Sequence, residues 1–101
     1  NGMVYTSGQI PVNPATGEIA DSIEGQARQV MENVKNLLEA AGTSMGNVVK
    51  TTVFIKDMND FGKINEIYAE YFEGACHARS CEEVASLPKD VPMEMEAVAV
   101  K

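Results

Sequence analysis

Positive charge is scarce in this sequence. Eight lysines and arginines stand against fifteen aspartates and glutamates, giving a net charge of −7 and an isoelectric point near 4.5. That shortage argues against a nucleic-acid backbone as partner, which needs a basic footprint. Long apolar runs are also missing: the longest falls far short of the ~20 residues that cross a bilayer, and no basic-then-apolar leader opens the stretch. A soluble, cytoplasmic protein is the expectation. Cysteine is limited to Cys76 and Cys81, too few for a disulfide framework. On one extended strand, five residues at roughly 3.3 Å each hold the two thiols too far apart for a bridge, so both are read as reduced. There is one histidine, His77.

What is present reads as a single globular domain over residues 1–101, with 45% apolar and 23% charged residues. Met3 to Ser7 has the pattern of a short strand, followed by a loop punctuated by Pro11, Asn13, Pro14 and Gly17. Asp21 with Glu24 three residues on resembles a capping box. From there Ile23, Ala27, Val30, Met31, Val34, Leu37, Leu38 and Ala41 recur at spacings of three and four, the stripe of a long helix that Gly42 ends. Val48 to Lys56 is rich in β-branched residues, with Thr51, Val53 and Ile55 on one face and Thr52, Phe54 and Lys56 on the other. Asn59 or Asp60 caps a second helix, whose stripe is Phe61, Ile64, Ile67, Tyr68, Tyr71 and Phe72 and whose stop is Gly74. Strands are expected at Ala78–Ala85 and Met93–Val100, and the methionines at 31, 45, 58, 93 and 95 as core filler. The order β-α-β-α-β-β makes an α+β fold, two helices packed on one face of a mixed β-sheet. Val98 and Val100 are in phase with Glu94 and Glu96, so the other sheet face is half apolar and half charged, which implies an oligomer.

The chemistry-bearing residues concentrate near the end. Arg79 and Cys81 are two apart and share a face of one strand; Glu94 and Glu96 share a face of the next. A guanidinium fork suits a small carboxylate, and a carboxylate facing it can order or deprotonate a water. The residue types fit hydrolysis of a small organic acid. A salt bridge for Arg79 and solubility charges for Glu94 and Glu96 are the plain structural alternatives. For Cys81, His77 is the one nearby group able to act as base, and a pocket-wall role is favoured over a nucleophile.

Thr6-Ser7-Gly8-Gln9-Ile10-Pro11, Glu39-Ala40-Ala41-Gly42, Val49-Lys50-Thr51-Thr52-Val53-Phe54 and Ala78-Arg79-Ser80-Cys81 through Leu87-Pro88-Lys89-Asp90 together resemble the Rid (YjgF-like) family, most closely its RidA-type reactive intermediate deaminases. The resemblance runs from end to end. It implies a chorismate-mutase-like fold, a homotrimer with pockets at subunit interfaces, and a cofactor-free 2-iminobutanoate/2-iminopropanoate deaminase. Such an enzyme hydrolyses 2-aminoacrylate-type enamines and imines to 2-keto acids and ammonia. Carried over by position, Arg79 grips the substrate carboxylate, Glu94 positions the water, Cys81 lines the pocket, and Ser7 and Gly8 form the opposite wall.

The chain departs from the family pattern in places. Relatives usually carry a further strand before the position of Asn1, with a tyrosine that closes the pocket, so the domain reads as lacking the family's first strand. Position 77 is usually proline, position 82 is usually apolar, and Cys76 is not a family signature. Glu82 is expected to point toward the helix layer, opposite to Arg79 and Cys81, where an unpaired carboxylate is costly; Glu82→Val is then expected to stabilise the fold. The alternative function is a trimeric scaffold of the same fold, catalytically impaired or engineered, with a metal or new site near Cys76, His77, Cys81 and Glu82. Their spacing matches no standard zinc motif, and the primary expectation is no metal.

Overall fold

Strand β2 (Val48–Ile55) runs through the middle of a four-stranded sheet ordered β1-β4-β2-β3, with β1 at Met3–Tyr5, β3 at Ala78–Glu83 and β4 at Met93–Val100. It pairs in parallel with β3 and antiparallel with β4, and β1 lies antiparallel on the far side of β4. Helices α1 (Ile23–Ala40) and α2 (Phe61–Tyr71) complete the domain, in the expected β-α-β-α-β-β order. This computed structural model describes residues 2–72 and 77–101. No helix among them is long and apolar enough to cross a membrane.

Local chemistry sets the helix ends. The Ser22 hydroxyl accepts the Gly25 N–H at 3.0 Å and caps α1, one residue later than the Asp21 start expected from the capping-box pattern. At the other end Gly42 takes φ +88°, and the N–H groups of Gly42 and Thr43 donate to the carbonyls of Glu39 and Leu38. That is the Schellman arrangement, which needs a residue tolerant of the left-handed region. Asp60 sits at the N-cap of α2 but makes no side-chain capping bond; the Asp57 carboxylate instead accepts the Asn59 N–H at 2.9 Å in the preceding 3-10 turn. The expected stop at Gly74 lies outside the described residues.

The core follows the two periodicities. Val30, Met31, Val34 and Leu38 of α1 and Ile64, Ile67 and Tyr68 of α2 are buried against Val53 and Ile55 of β2 and Met93, Met95, Ala97 and Ala99 of β4. Leu37 and Met58, expected in the core, are exposed: Leu37 lies at the margin of the α1 stripe, and Met58 is in the turn before α2. The expected strand at Ala78–Ala85 ends earlier, at Glu83.

The face assignment of β3 is reversed from expectation. Arg79 pairs with Thr51 and Cys81 with Val53, both on the helix side of β2, and Cys81 packs against the core. Glu82 pairs with Phe54, which pairs in turn with Glu94, so Glu82 is exposed on the sheet face that carries no helix among the described residues. The burial penalty expected for Glu82 therefore does not arise within the chain.

Two stability outcomes follow, both readable by urea denaturation. Met93→Ala, which empties a fully buried position, should cost about 2–5 kcal/mol. Glu82→Val should leave the unfolding free energy of the single chain within about 0.5 kcal/mol.

Candidate functional site

Arg79 projects from edge strand β3 onto one face of α2. Phe61, Asn65 and Tyr68 are spaced by four and three residues, so the helix presents them together. The Arg79 Cζ lies 4.6 Å from the Tyr68 ring centroid and 5.4 Å from that of Phe61, and Nη1 donates to Asn65 Oδ1 at 2.7 Å. Two aromatic faces and one amide oxygen thus hold an exposed guanidinium whose remaining N–H groups are available for a carboxylate.

Tyr68 is itself held at its hydroxyl. Its oxygen lies 2.6 Å from Thr51 Oγ1 and is hydrogen-bonded to His77 Nε2. His77 also packs on Phe72, with ring centroids 4.2 Å apart. Burial pushes the Tyr68 phenol above its ordinary pKa despite the Thr51 hydrogen bond and the nearby Arg79 charge. Burial, and then Arg79, push His77 below its ordinary value, which favours the neutral imidazole.

Burial raises the Cys81 thiol; the Arg79 charge opposes this and Glu82 adds to it. A thiol held protonated in this way is a poor nucleophile.

Glu94 lies elsewhere. It is half-buried on the helix-free face of β4, opposite Phe54. The segment after β1 is tied to β4 through Gln9 and Met95, whose backbone groups exchange bonds of 2.7 and 3.0 Å. That tie lays Gly8 against the Glu94 carboxylate so closely that a Cβ at position 8 would collide with it. The Gln9 amide donates to the Ser7 carbonyl at 3.3 Å, so Ser7, Gly8 and Glu94 form one neighbourhood.

The sequence expectation of one pocket containing Arg79, Cys81 and Glu94 is thus split within a single chain. Strands β3 and β4 are consecutive but not adjacent; β2 lies between them. Two strand spacings, about 10 Å, and opposite sheet faces separate Arg79 from Glu94. A wide, mostly apolar cleft of about 440 Å³ beside Gly8, between the loop and Asn33, Asn36 and Leu37 of α1, includes neither residue.

Sequence reasoning missed Thr51, Asn65 and Tyr68 as neighbours of Arg79. The signal for two of them was present: the spacing that marks Tyr68 as core also puts Asn65 on the same helix face. Among the described residues, no group of three or more His, Cys, Asp or Glu is placed to hold a metal ion. Cys81 and Glu82 point to opposite faces, and Cys76 of that suggested cluster lies outside the described residues.

Two helices on one face of a mixed sheet, with an arginine-bearing edge strand, define a chorismate-mutase-like α+β domain. The chain matches the family described as endoribonuclease L-PSP over residues 1–101 and belongs to it; this is the Rid (YjgF-like) family. It is 56% identical over 102 residues to a 2-iminobutanoate/2-iminopropanoate deaminase of Salmonella typhimurium, covering 98% of this chain and 80% of that one. The protein of the same name from Escherichia coli K12 is 55% identical with the same coverage. The solved structure of E. coli TdcF with bound serine superposes with a TM-score of 0.95 at 53% identity, covering 99% of this chain and 81% of that chain. The YjgF gene product of E. coli gives a TM-score of 0.95 at 54% identity, over 100% of this chain and 82% of that one. The protein is a member of the reactive intermediate deaminase family.

The depressed His77 pKa has a consequence for stability. The unfolded chain binds a proton at His77 more readily than the folded one, so folding free energy is lost as pH falls from about 7 through the ordinary histidine value of about 6.5. Chemical denaturation at pH 7.5 and 5.5 should show a smaller loss in His77→Gln than in the unaltered protein.

Proposed function

We propose that this protein hydrolyses small 2-imino acids, and the 2-aminoacrylate-type enamines in equilibrium with them, to 2-keto acids and ammonia. It works as a homotrimer with pockets between subunits. The observation that carries this reading is the separation of Arg79 from Glu94 onto opposite sheet faces, with Arg79 on an edge strand. A pocket that uses both requires a second copy, whose helix-free face brings Ser7, Gly8 and Glu94 to the Arg79 of its neighbour. That face also carries Phe54, Val98 and the exposed side chains of Tyr5 and Val100, apolar surface that association would bury.

In this pocket Arg79 binds the substrate carboxylate through charge-assisted hydrogen bonds, with Asn65 and the two rings setting its direction. Ser7 and Gly8 form the wall beside Glu94, and the Cys81 side chain closes the base. The iminium carbon is already electrophilic, so no metal or covalent nucleophile is required. Glu94 orients a water and accepts its proton as the oxygen bonds to C2. The proton passes to the nitrogen of the carbinolamine, the hydroxyl gives its own proton back to Glu94 as its oxygen forms the carbonyl, and the C–N bond breaks to release the keto acid and ammonia. Fixing the carboxylate and one water reduces the entropic part of the barrier, an effect worth at most about 7–11 kcal/mol.

The serine bound by TdcF supports a small amino-acid-like ligand. The net charge of −7 does not favour RNA as substrate, although the matched family carries an endoribonuclease description.

The test is a coupled assay in which threonine dehydratase supplies 2-aminocrotonate and its decay is followed, with sedimentation of each variant alongside. Arg79→Ala should abolish acceleration while the trimer persists, and Glu94→Gln should lower kcat by roughly 10²–10⁴-fold. Undiminished turnover in Arg79→Ala removes the clamp. A monomeric but active protein removes the shared pocket.

A further inference from the structure

Arg79, Tyr68, Thr51 and His77 form one connected assembly, and of the four the chemistry above uses Arg79 and the Tyr68 ring beneath it. The Arg79 guanidinium rests on the face of the Tyr68 ring, so its position depends on where that ring lies. Core packing confines the buried ring, and its hydroxyl, at the far end from the helix, is tied as well. Two groups tie it from different elements: Thr51 Oγ1 from β2, at 2.6 Å, and His77 Nε2 from the entry to β3. His77 is itself seated against Phe72 of α2 and lies two residues before Arg79. The imidazole therefore bridges the helix that carries the ring and the strand that carries the cation.

We propose that His77 is a positioning residue for carboxylate binding: by holding the Tyr68 hydroxyl it fixes the aromatic platform under Arg79, and so sets substrate affinity rather than the rate of the chemical step. The inference rests on the reading of Arg79 as the carboxylate grip. The titratable or charged groups that face His77 from the described elements packed against it are Tyr68 on α2 and Arg79 on β3. Tyr68 is held above its ordinary pKa and Arg79 carries the standing positive charge. Burial and the Arg79 charge disfavour a charged imidazole, so the bridge operates with His77 neutral. A neutral ring nitrogen and a phenol form one hydrogen bond in either proton arrangement, and the platform is held in both. His77 has no proton to move in the reaction, and its loss should weaken carboxylate binding equally in the ground state and the transition state.

A double-mutant cycle on the full protein tests this. His77→Phe keeps a ring to pack on Phe72 but removes the hydrogen-bonding nitrogen; Tyr68→Phe keeps the platform but removes the hydroxyl; the third member carries both changes. The readouts are KM and kcat with 2-aminocrotonate, and the dissociation constant of 2-oxobutanoate, the keto acid that the proposed reaction forms. Each single change should raise KM and the 2-oxobutanoate dissociation constant by roughly three- to tenfold, the scale of a cation–π contact, with kcat within about twofold. The double variant should be no worse than the weaker-binding single, because both remove the same bond. His77→Gln, which can still reach a phenol, should recover part of the affinity. Losses that multiply in the double variant, a fall in kcat at unchanged KM, or unchanged affinity in both single variants overturns the proposal. Arg79→Ala separates the two readings. If it binds 2-oxobutanoate as tightly as the unaltered protein, the carboxylate grip fails and this inference with it. If it loses binding while His77→Phe does not, only the positioning role is wrong.

Discussion

Every other part of this domain is placed by the alternation of side chains along β2. Because successive residues point to opposite faces, Thr51, Val53 and Ile55 enter the helix layer while Thr52 and Phe54 are left on the open face. Pairing on both edges then passes that choice to the neighbours residue by residue. β4 must turn Met93, Met95 and Ala97 inward and Glu94 and Glu96 outward; β3 must turn Arg79 and Cys81 inward and Glu82 outward. A slip of one residue in the β2–β4 pairing would put Glu94 and Glu96 into the core and Met93 and Met95 into water, so the hydrophobic pattern holds that register.

The same constraint divides the functional groups. The guanidinium ends over the aromatic face of α2, in surroundings that favour a fixed cation and a protonated thiol. The Glu94 carboxylate ends on the open face with Gly8 pressed against it. A small domain with one core has two sheet faces and only enough helix to cover one of them. The uncovered face retains apolar side chains beside its acids, and the proposed trimer uses that face both to bury surface and to complete the pocket. Assembly and catalysis are then one requirement rather than two.

Much of the architecture was legible from residue order. The α1 stripe from Ala27 to Leu38, the bounds of β4 at Met93–Val100, the division of β2 side chains between two faces and the turn at Gly42 all follow from period and turn chemistry, which are local properties. The helix start moved by one residue because the Ser22 hydroxyl reaches the N–H of Gly25, a choice between adjacent capping residues that composition does not resolve. Arg79 and Glu94 stood out as candidates from residue type, spacing and the family resemblance. Their relation in space did not, because two strands consecutive in the chain need not be neighbours in the sheet.

By itself the sequence determined which residues alternate, where α1 ends, and which charges and thiols lie together along the chain. Each of these depends on neighbours a few positions away. Only the tertiary structure decided that β2 separates β3 from β4, that Glu82 is on the open face with Glu94, and that Tyr68 stands between Thr51, His77 and Arg79. Those facts depend on which edge each strand finds and which helix covers it. They are settled by burial of the common core, a property of the whole chain rather than of any one segment of it.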